Sequence, residues 1–415
     1  MLDSSGTSSS QPNRSMFRRA SLIVLAVAFV AVLAGAIGFG AMQLAGVTIQ
    51  DAPTATAAIA GPSATTAPAA YVPVTRTYYI AADTVKWNFA PDGKNDITGE
   101  PFGDRENTYL KTGRNRIGSI NFMSQYRQYT DDTFKTLVPR SADDAYMGLL
   151  GPTIHAVVGD TIVVVFKNNT PFPASVHPHG VFYAKDSEGA PYDDGTSGAG
   201  KDDDAVPTGG THTYRWLVPD RAGPGPGDGS SILWMYHSHT DEVGDTNAGL
   251  LGDIVITRAE DARPDGTPKD VDRELFTNFE ILDQNVSPYL QMDIHTFTSD
   301  PKSVDTSDDE FVESNLKHSI NGYVYGNMPM ITIKEGEKVR WYVTDLGTEV
   351  DLHTPHWHGN TVLVMGLRTD MVMLLPGMMV VADMVPDDPG IWLYHCHVND
   401  HILAGMQTRY QVLPA

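Results

Sequence analysis

The chain carries one plan twice. The strand-like run "GDTIVVVFKNN" (Gly159 to Asn169) is followed by "HPHG" (His177 to Gly180), then by "WMYHSH" (Trp234 to His239) and "AGLLG". "GEKVRWYVTD" (Gly336 to Asp345) is followed in turn by "HWHG" (His356 to Gly359), then by "WLYHCH" (Trp392 to His397) and "AGM". A repeat of that length, in one order, demands two structurally equivalent units. Between the motifs, short β-branched and aromatic runs end at Gly, Pro, Asn and Asp, which predicts strands of antiparallel sandwiches. The expected fold class is therefore all-β, with two β-sandwich domains. The polar stretch "TRAEDARPDGTPKD" (Thr257 to Asp270) marks the seam and leaves domains of about residues 71–257 and 271–415.

A different kind of sequence precedes them. Arg14, Arg18 and Arg19 come before a charge-free apolar run from Ala20 to about Thr48, so residues 1–50 read as a signal or a membrane anchor. The run reaches the roughly 20 residues that a bilayer span needs, and both cleavage and anchoring stay open. "FRRASL" (Phe17 to Leu22) hints at twin-arginine export of a prefolded protein. Residues 51–70, rich in Ala, Thr and Pro, read as a tether. The positive-inside rule puts the folded part on the periplasmic or extracellular face, secreted or anchored.

With 51 acidic against 29 basic residues, the formal charge of -22 argues against a nucleic acid or anionic membrane bound through the folded domains. Acidic runs such as "KDDDAV" (Lys201 to Val206) and "TSDDEF" (Thr306 to Phe311) read as solvated loops. A single cysteine permits no internal disulfide, so stability must come from the core.

That cysteine, Cys396, stands between two histidines. Ten of the fourteen histidines fall in four windows: His177 and His179; His237 and His239; His353, His356 and His358; His395, His397 and His401. The other four, His155, His212, His295 and His318, read as ordinary hydrogen-bonded residues. On a strand, successive side chains point to opposite faces, so His395 and His397 project one way and Cys396 the other. One strand then serves two metal sites back to back. Cys396 as thiolate, with His401 and a weak axial Met406, lacks one imidazole to complete a trigonal blue-copper set, and His353 is the candidate. On the opposite face, His395 and His397 join the other HxH pairs to give eight imidazoles, a thiolate-free set suited to copper and dioxygen.

The four motifs HxHG, HxH, HxxHxH and HCHxxxHxxxxM resemble the complete signature of the multicopper oxidases, over the chain from about residue 71 onward. "YYIAADTVKWNFAP" (Tyr78 to Pro91), "HPHGVFYAKDSEGA" and "HVNDHILAGMQTRYQVL" are most similar to the ceruloplasmin branch, while the two-domain length resembles two-domain laccases. The resemblance implies two cupredoxin-like Greek-key domains and four coppers per functional unit: one type 1, one type 2 and two type 3. It implies a type 1 copper on His353, Cys396, His401 and Met406. It places type 2 on His177 and His356, and the type 3 pair on His179, His237, His239, His358, His395 and His397. Aligning the halves sets Ala174 opposite His353 and Ser238 opposite Cys396, so the first domain has no type 1 set. The two-domain relatives imply a ring-shaped homotrimer whose trinuclear clusters lie between chains; a cluster within one chain stays open.

The expected activity couples one-electron oxidation of a phenolic or metal-ion donor to reduction of dioxygen to water. A ferroxidase or cuprous oxidase of ceruloplasmin type is the alternative, and a copper nitrite reductase would leave the paired imidazoles without a purpose. Cluster chemistry needs protons, and Asp194 in "YDDGTSG" is the candidate carboxylate, with a turn-forming Asp-Gly as its plainer reading. Asp400, immediately before His401, is the candidate for binding Fe(II) or accepting a phenol proton. The Met-rich "MVMLLPGMMVVADM" (Met371 to Met384) reads as core filling before Cu(I) binding.

Overall fold

A computed structural model of the chain describes residues 71–348 and 350–415. The N-terminal signal or anchor and the tether at residues 51–70 lie outside the described residues, and no described helix is long and apolar enough to cross a membrane.

The first half is built from β1 (Thr75–Asn88), β2 (Ile120–Tyr129), β3 (Ile154–Val157), β4 (Thr161–Asn168), β5 (His177–Pro178), β6 (Phe182–Tyr183), β7 (Thr211–Leu217), β8 (Ser231–His237) and β9 (Leu251–Thr257). They form sheets of order β2-β1-β4-β7-β6 and β3-β9-β8-β5. The second half has β10 (Arg273–Asp283), β11 (Leu316–Ile320), β12 (Ile331–Lys334), β13 (Val339–Asp345), β14 (Pro355–Trp357), β15 (Val362–Val364), β16 (Leu367–Thr369), β17 (Met379–Met384), β18 (Gly390–Cys396) and β19 (Gln407–Leu413). Its sheets run β11-β10-β13-β17-β15-β16 and β12-β19-β18-β14. Strand for strand, the second half repeats the first and adds one edge strand, β16. These are the two cupredoxin-like sandwiches.

The sheets are not purely antiparallel. β1 lies parallel to β4, β10 to β13, β3 to β9 and β12 to β19. The reason is connectivity: a chain that crosses between the two layers returns to a sheet running in its original direction.

Inside each sandwich, alternation does the sorting. Ile162, Val164 and Phe166 of β4 pack with Tyr214 and Trp216 of β7 in the first core. Trp341, Trp357, Tyr394 and Tyr410 pack together in the second. The second core does not stop at the seam. Tyr146, Leu233, Met235, Leu251 and Val255 of the first half belong to the same buried cluster as Leu275, Tyr342 and Met384. β9 is therefore buried on both faces, and the described residues from 71 onward form one compact unit.

The HxHG repeat has a steric cause. Gly180 and Gly359 adopt φ of +77° and +74°, and a Cβ on either would come within 2.3 Å of the indoles of Trp234 and Trp392. The tryptophan that opens each HxH motif thus lies over the glycine that closes each HxHG, and only glycine fits.

One buried carboxylate in the seam has no partner. Both oxygens of Asp253 on β9 are buried without a hydrogen bond, and burial raises the carboxyl to about 8. A raised pKa stabilises the fold fully below the unfolded value near 4 and loses that contribution as pH rises through 8. Asp253→Asn, which cannot ionise, should therefore raise the thermal midpoint of the copper-free chain more at pH 9, where the loss is complete, than at pH 6, where it is partial. Thermal unfolding at the two pH values checks this.

Candidate metal centres

Cys396 ends β18, and the sheet register sets what faces it. Pro355 pairs with Cys396 and His356 with His395, so Cys396 and His395 leave the strand on opposite faces. On the inner face, Cys396 Sγ lies 3.7 Å from His353 Nδ1 and 3.6 Å from His401 Nδ1, and those nitrogens are 3.1 Å apart. All three side chains are buried. Met406 is fully buried beside them, its carbonyl accepting from Cys396 N–H and its N–H donating to His401 O. His401 lies in the short helix Asn399–Ala404, and Gly405, at φ +116°, turns the chain so that Met406 meets the strand.

The surroundings orient this set. Asp351 Oδ1 lies 3.2 Å from His353 Nε2, which leaves Nδ1 to face the sulfur, and Thr354 N–H points at Cys396 Sγ from 3.4 Å. Asp351 stands two residues before His353 and faces it across one turn of the chain. Burial, followed by the neighbouring His353, pushes His401 down to about 4, and burial raises the Cys396 thiol. A neutral imidazole with a free lone pair is what a metal needs, and loading a metal onto the thiol expels its proton.

Two histidine tetrads form separately. In the first half, His177 pairs with His237 across β5 and β8, His179 Nε2 lies 3.1 Å from His237 Nε2, and His239 lies 5.2 Å ring to ring from His177. Backbone carbonyls hold the far nitrogens: His177 Nδ1 lies 2.7 Å from Glu188 O and His237 Nδ1 lies 3.1 Å from Ser238 O. In the second half, His395 Nε2 lies 3.2 Å from His356 Nδ1 and 3.0 Å from His358 Nε2, and His397 is 5.4 Å ring to ring from His356. Burial first, then the neighbouring rings, lowers His179 and His395 to about 4 and His237 to about 3. These imidazoles are neutral at ordinary pH.

The two tetrads do not meet. Among the described residues, no ring contact or hydrogen bond joins a histidine of one to a histidine of the other. Both reach the surface instead: His177, His179, His239, His356 and His358 are partly exposed, and His397 is exposed. Exposed apolar side chains stand near each, Phe182 and Tyr183 around the first and Met371 and Met373 around the second.

The first half preserves the frame of the cysteine site with different atoms in it. Ser238 N–H donates to Leu250 O as Cys396 N–H does to Met406 O, and Leu250 N–H donates to Asp245 O as Met406 N–H does to His401 O. Asp245 therefore stands where His401 does, and Ser238 Oγ donates to its carboxylate at 2.6 Å. A buried hydroxyl–carboxylate bond occupies the place that the Cys396–His401 contact has in the second half.

Asp194 is not brought to either tetrad. It sits 2.8 Å from Lys201 Nζ and accepts from Thr196 N–H and Oγ–H, with Lys185 3.6 Å away. Lys201 and Thr196 hold its carboxyl well below the usual range, which makes it a poor proton donor. The turn-forming reading of that residue fits better. The carboxylates that do touch tetrad imidazoles are Glu242, 3.2 Å from His239, and Asp370, 3.5 Å from His356. Glu242 stands only three residues after His239 and Asp370 follows the HxxHxH window, but neither carries a local mark that sets it apart from the other acidic loop residues.

Asp400 is exposed beside His401. His318, read as an ordinary hydrogen-bonded histidine, lies 3.2 Å from Leu316 O through Nδ1, with its ring tilted 5.4 Å from that of His401 and edge-on 5.7 Å from Tyr109, whose hydroxyl donates to Glu313 at 2.6 Å. The Met-rich segment divides: Met384 is core, whereas Met371 and Met373 are exposed, Met373 by 78%.

A buried Cys-His-His set backed by histidine tetrads on cupredoxin-like sandwiches defines a copper protein of the oxidase type. Sequence models described as multicopper oxidase match residues 145–261 and 285–415. The chain belongs to the multicopper oxidase family, whose cofactor is copper. Human ferroxidase HEPHL1 is 44% identical over 342 residues, covering 82% of this chain and 29% of that protein. Human hephaestin is 42% identical and human ceruloplasmin 37%, each covering 81% of this chain and 29% and 31% of their own length. The chain thus spans about three tenths of the length of the curated relatives it matches. Two solved structures share its fold: one described as a multicopper oxidase, 17% identical with a TM-score of 0.51, covering 81% of this chain and 89% of the other. The second is the multicopper oxidase mgLAC, 19% identical with a TM-score of 0.50, covering 81% and 86%.

Proposed function

We propose that this chain is a copper oxidase that takes single electrons from a donor outside the cytoplasm and passes them to dioxygen, which leaves as water. The observation that carries it is one strand end serving two donor sets: buried Cys396 on one face, His395 and His397 on the other. The donor sets fit copper, with the soft thiolate, two imidazoles and a methionine on one side and imidazoles alone on the other. When bound, copper would supply one-electron redox chemistry at the first set and dioxygen reduction at the second.

In this reading His353, Cys396, His401 and Met406 hold the type 1 ion, His177 and His356 the type 2 ion, and His179, His237, His239, His358, His395 and His397 the type 3 pair. The working unit is a homotrimeric ring in which the first tetrad of one chain faces the second tetrad of the next. Two half-sets on the surface, each bordered by apolar side chains, support a heterologous contact that closes into a ring. Glu242 and Asp370, each against a tetrad imidazole, take over from Asp194 the task of delivering protons. The N-terminal segment exports or anchors the protein.

Fe(II) is the donor the surroundings of His401 favour over a phenol. Asp400 and Glu313 put negative charge around a route that runs from the surface through Tyr109 and His318 to His401. Dioxygen uptake by the copper-loaded chain, with Fe(II) and a phenol in parallel and nitrite as a control acceptor, tests the proposal. Four electrons consumed per dioxygen establish the oxidase; nitrite reduction without oxygen uptake would mean that the tetrads do not form the cluster. Asp400→Ala should raise KM for Fe(II) about tenfold, the worth of one charged contact, and leave KM for a bulky dye nearly unchanged. Equal shifts for both would remove Asp400 from the iron site.

A further inference from the structure

Among the described residues, one lysine is buried: Lys317 on β11, which has no exposed surface. No carboxylate among those residues pairs with it. Its ammonium donates instead to three backbone carbonyls, Tyr109 O at 2.6 Å, Ser314 O at 2.7 Å and Gly118 O at 3.0 Å. Three N–H groups meet three acceptors, so the group is satisfied as a donor while its charge is not paired. Burial pulls Lys317 down to about 7, and the negative field of Asp293 offsets only part of that. An apolar side chain would fill the space without that cost. What the ammonium adds is one fixed point for three segments.

Those segments are remote in the chain. Tyr109 lies in the last turn of the short helix Asp104–Leu110, Ser314 ends the short helix Asp309–Ser314, and Gly118 precedes β2. Carbonyls at a helix end have no partner within the helix, and here one ammonium serves two such ends. The same two helices meet again on their outer side, where the Tyr109 hydroxyl donates to Glu313 at 2.6 Å. That contact is open to water, as is the one between Arg116 and Glu310 at 2.9 Å beside it. Contacts bathed in solvent hold geometry weakly, whereas a buried charged donor that loses its acceptors leaves all of them unsatisfied. The inner clamp is the stronger of the two.

Strand alternation places its effect. Lys317 and His318 are neighbours on β11, so their side chains leave opposite faces. Lys317 reaches the three carbonyls, while the His318 ring lies 5.7 Å from that of Tyr109 and 5.4 Å from that of His401. A displacement of Tyr109 or Glu313 therefore displaces the groups that stand between solvent and His401.

We propose that Lys317 is a positioning residue for the electron donor: its ammonium holds Tyr109 and Glu313 at the spacing that admits Fe(II) to the His318 and His401 side of the Cys396 set. This rests on the Fe(II) reading of that side. Lys317 hydrogen-bonds to none of the copper donors, so loosening the clamp changes donor entry and leaves the thiolate set and the dioxygen end as they are.

The test compares Lys317→Gln and Lys317→Met with the wild type as copper-loaded full chains, with Fe(II) and a bulky dye as alternative donors. KM for Fe(II) should rise at least about fivefold in both variants, and further in Lys317→Met, which offers the carbonyls no donor. The turnover number with Fe(II), the KM for the dye and the blue absorption should stay as in the wild type. An unchanged KM for Fe(II), or a parallel loss of colour and of turnover with both donors in a variant that loads copper, would overturn the proposal. Glu313→Gln separates it from the reading beneath it. If Glu313→Gln raises KM for Fe(II) and Lys317→Gln does not, Lys317 positions nothing and the Fe(II) reading stands; if neither Glu313→Gln nor Asp400→Ala raises it, the reading fails and the proposal with it. Where neither Lys317 variant loads copper, Tyr109→Phe carries the test, because it removes only the outer hydroxyl. It should raise KM for Fe(II) at least about threefold with dye kinetics unchanged, and no rise would overturn the proposal.

Discussion

Two chains that are each inactive should restore one another. One carries His179→Ala and His237→Ala and so lacks the first tetrad; the other carries His358→Ala and His395→Ala and lacks the second. Each alone should show dioxygen uptake at background. Co-expressed in equal amounts, they should recover about one quarter of the wild-type rate per chain. In a head-to-tail ring, an interface is intact only when the second chain's first half meets the first chain's second half, which random assembly achieves about one time in four. The recovery is possible because the tetrads assemble independently, with no contact between them among the described residues, and because the Cys396 site stays whole in the chain that lacks the first tetrad. Mixed oligomers that form, as checked by two affinity tags, yet stay inactive would place the cluster within one chain.

Cys396→Ser should abolish the blue colour and donor oxidation together. Removing a ligand costs more than the roughly 10–100-fold that loss of an outer hydrogen-bond partner costs a metal site. The first half shows that the frame tolerates the change, since Ser238 occupies the equivalent place and is satisfied by Asp245 and by Ser175 N–H. The variant should therefore fold, keep copper on its tetrads, and lose only the thiolate absorption and turnover with Fe(II) or a phenol. Copper content, visible absorption and dioxygen uptake separate these outcomes, and undiminished turnover would remove Cys396 from the electron path.

Much of this was legible without coordinates because metal chemistry leaves dense marks in sequence. The strand alternation of His395, Cys396 and His397 holds in three dimensions, and the missing imidazole opposite Cys396 is His353. The HxHG glycines need the positive φ that a stacked tryptophan enforces. What escaped notice had no such local mark. His318 lies 83 residues from His401, and only packing brings their rings together. Asp194 looked available because it follows the HPHG motif, and the sequence does not show the lysines that fold over it. The Met-rich segment has one composition and two fates, since β17 points Met384 inward while the loop before it exposes Met371 and Met373.

The sequence by itself determined the two sandwiches, the family and the absence of a cysteine from the first half, because each depends on residue identity at short spacing. Only the tertiary structure decided that the halves share one core, that Asp245 stands in for His401, and that the two tetrads stay apart within a chain. Those are facts about distance between segments remote in the chain, and remote distance is set by how β-sheets stack rather than by any pattern along a strand.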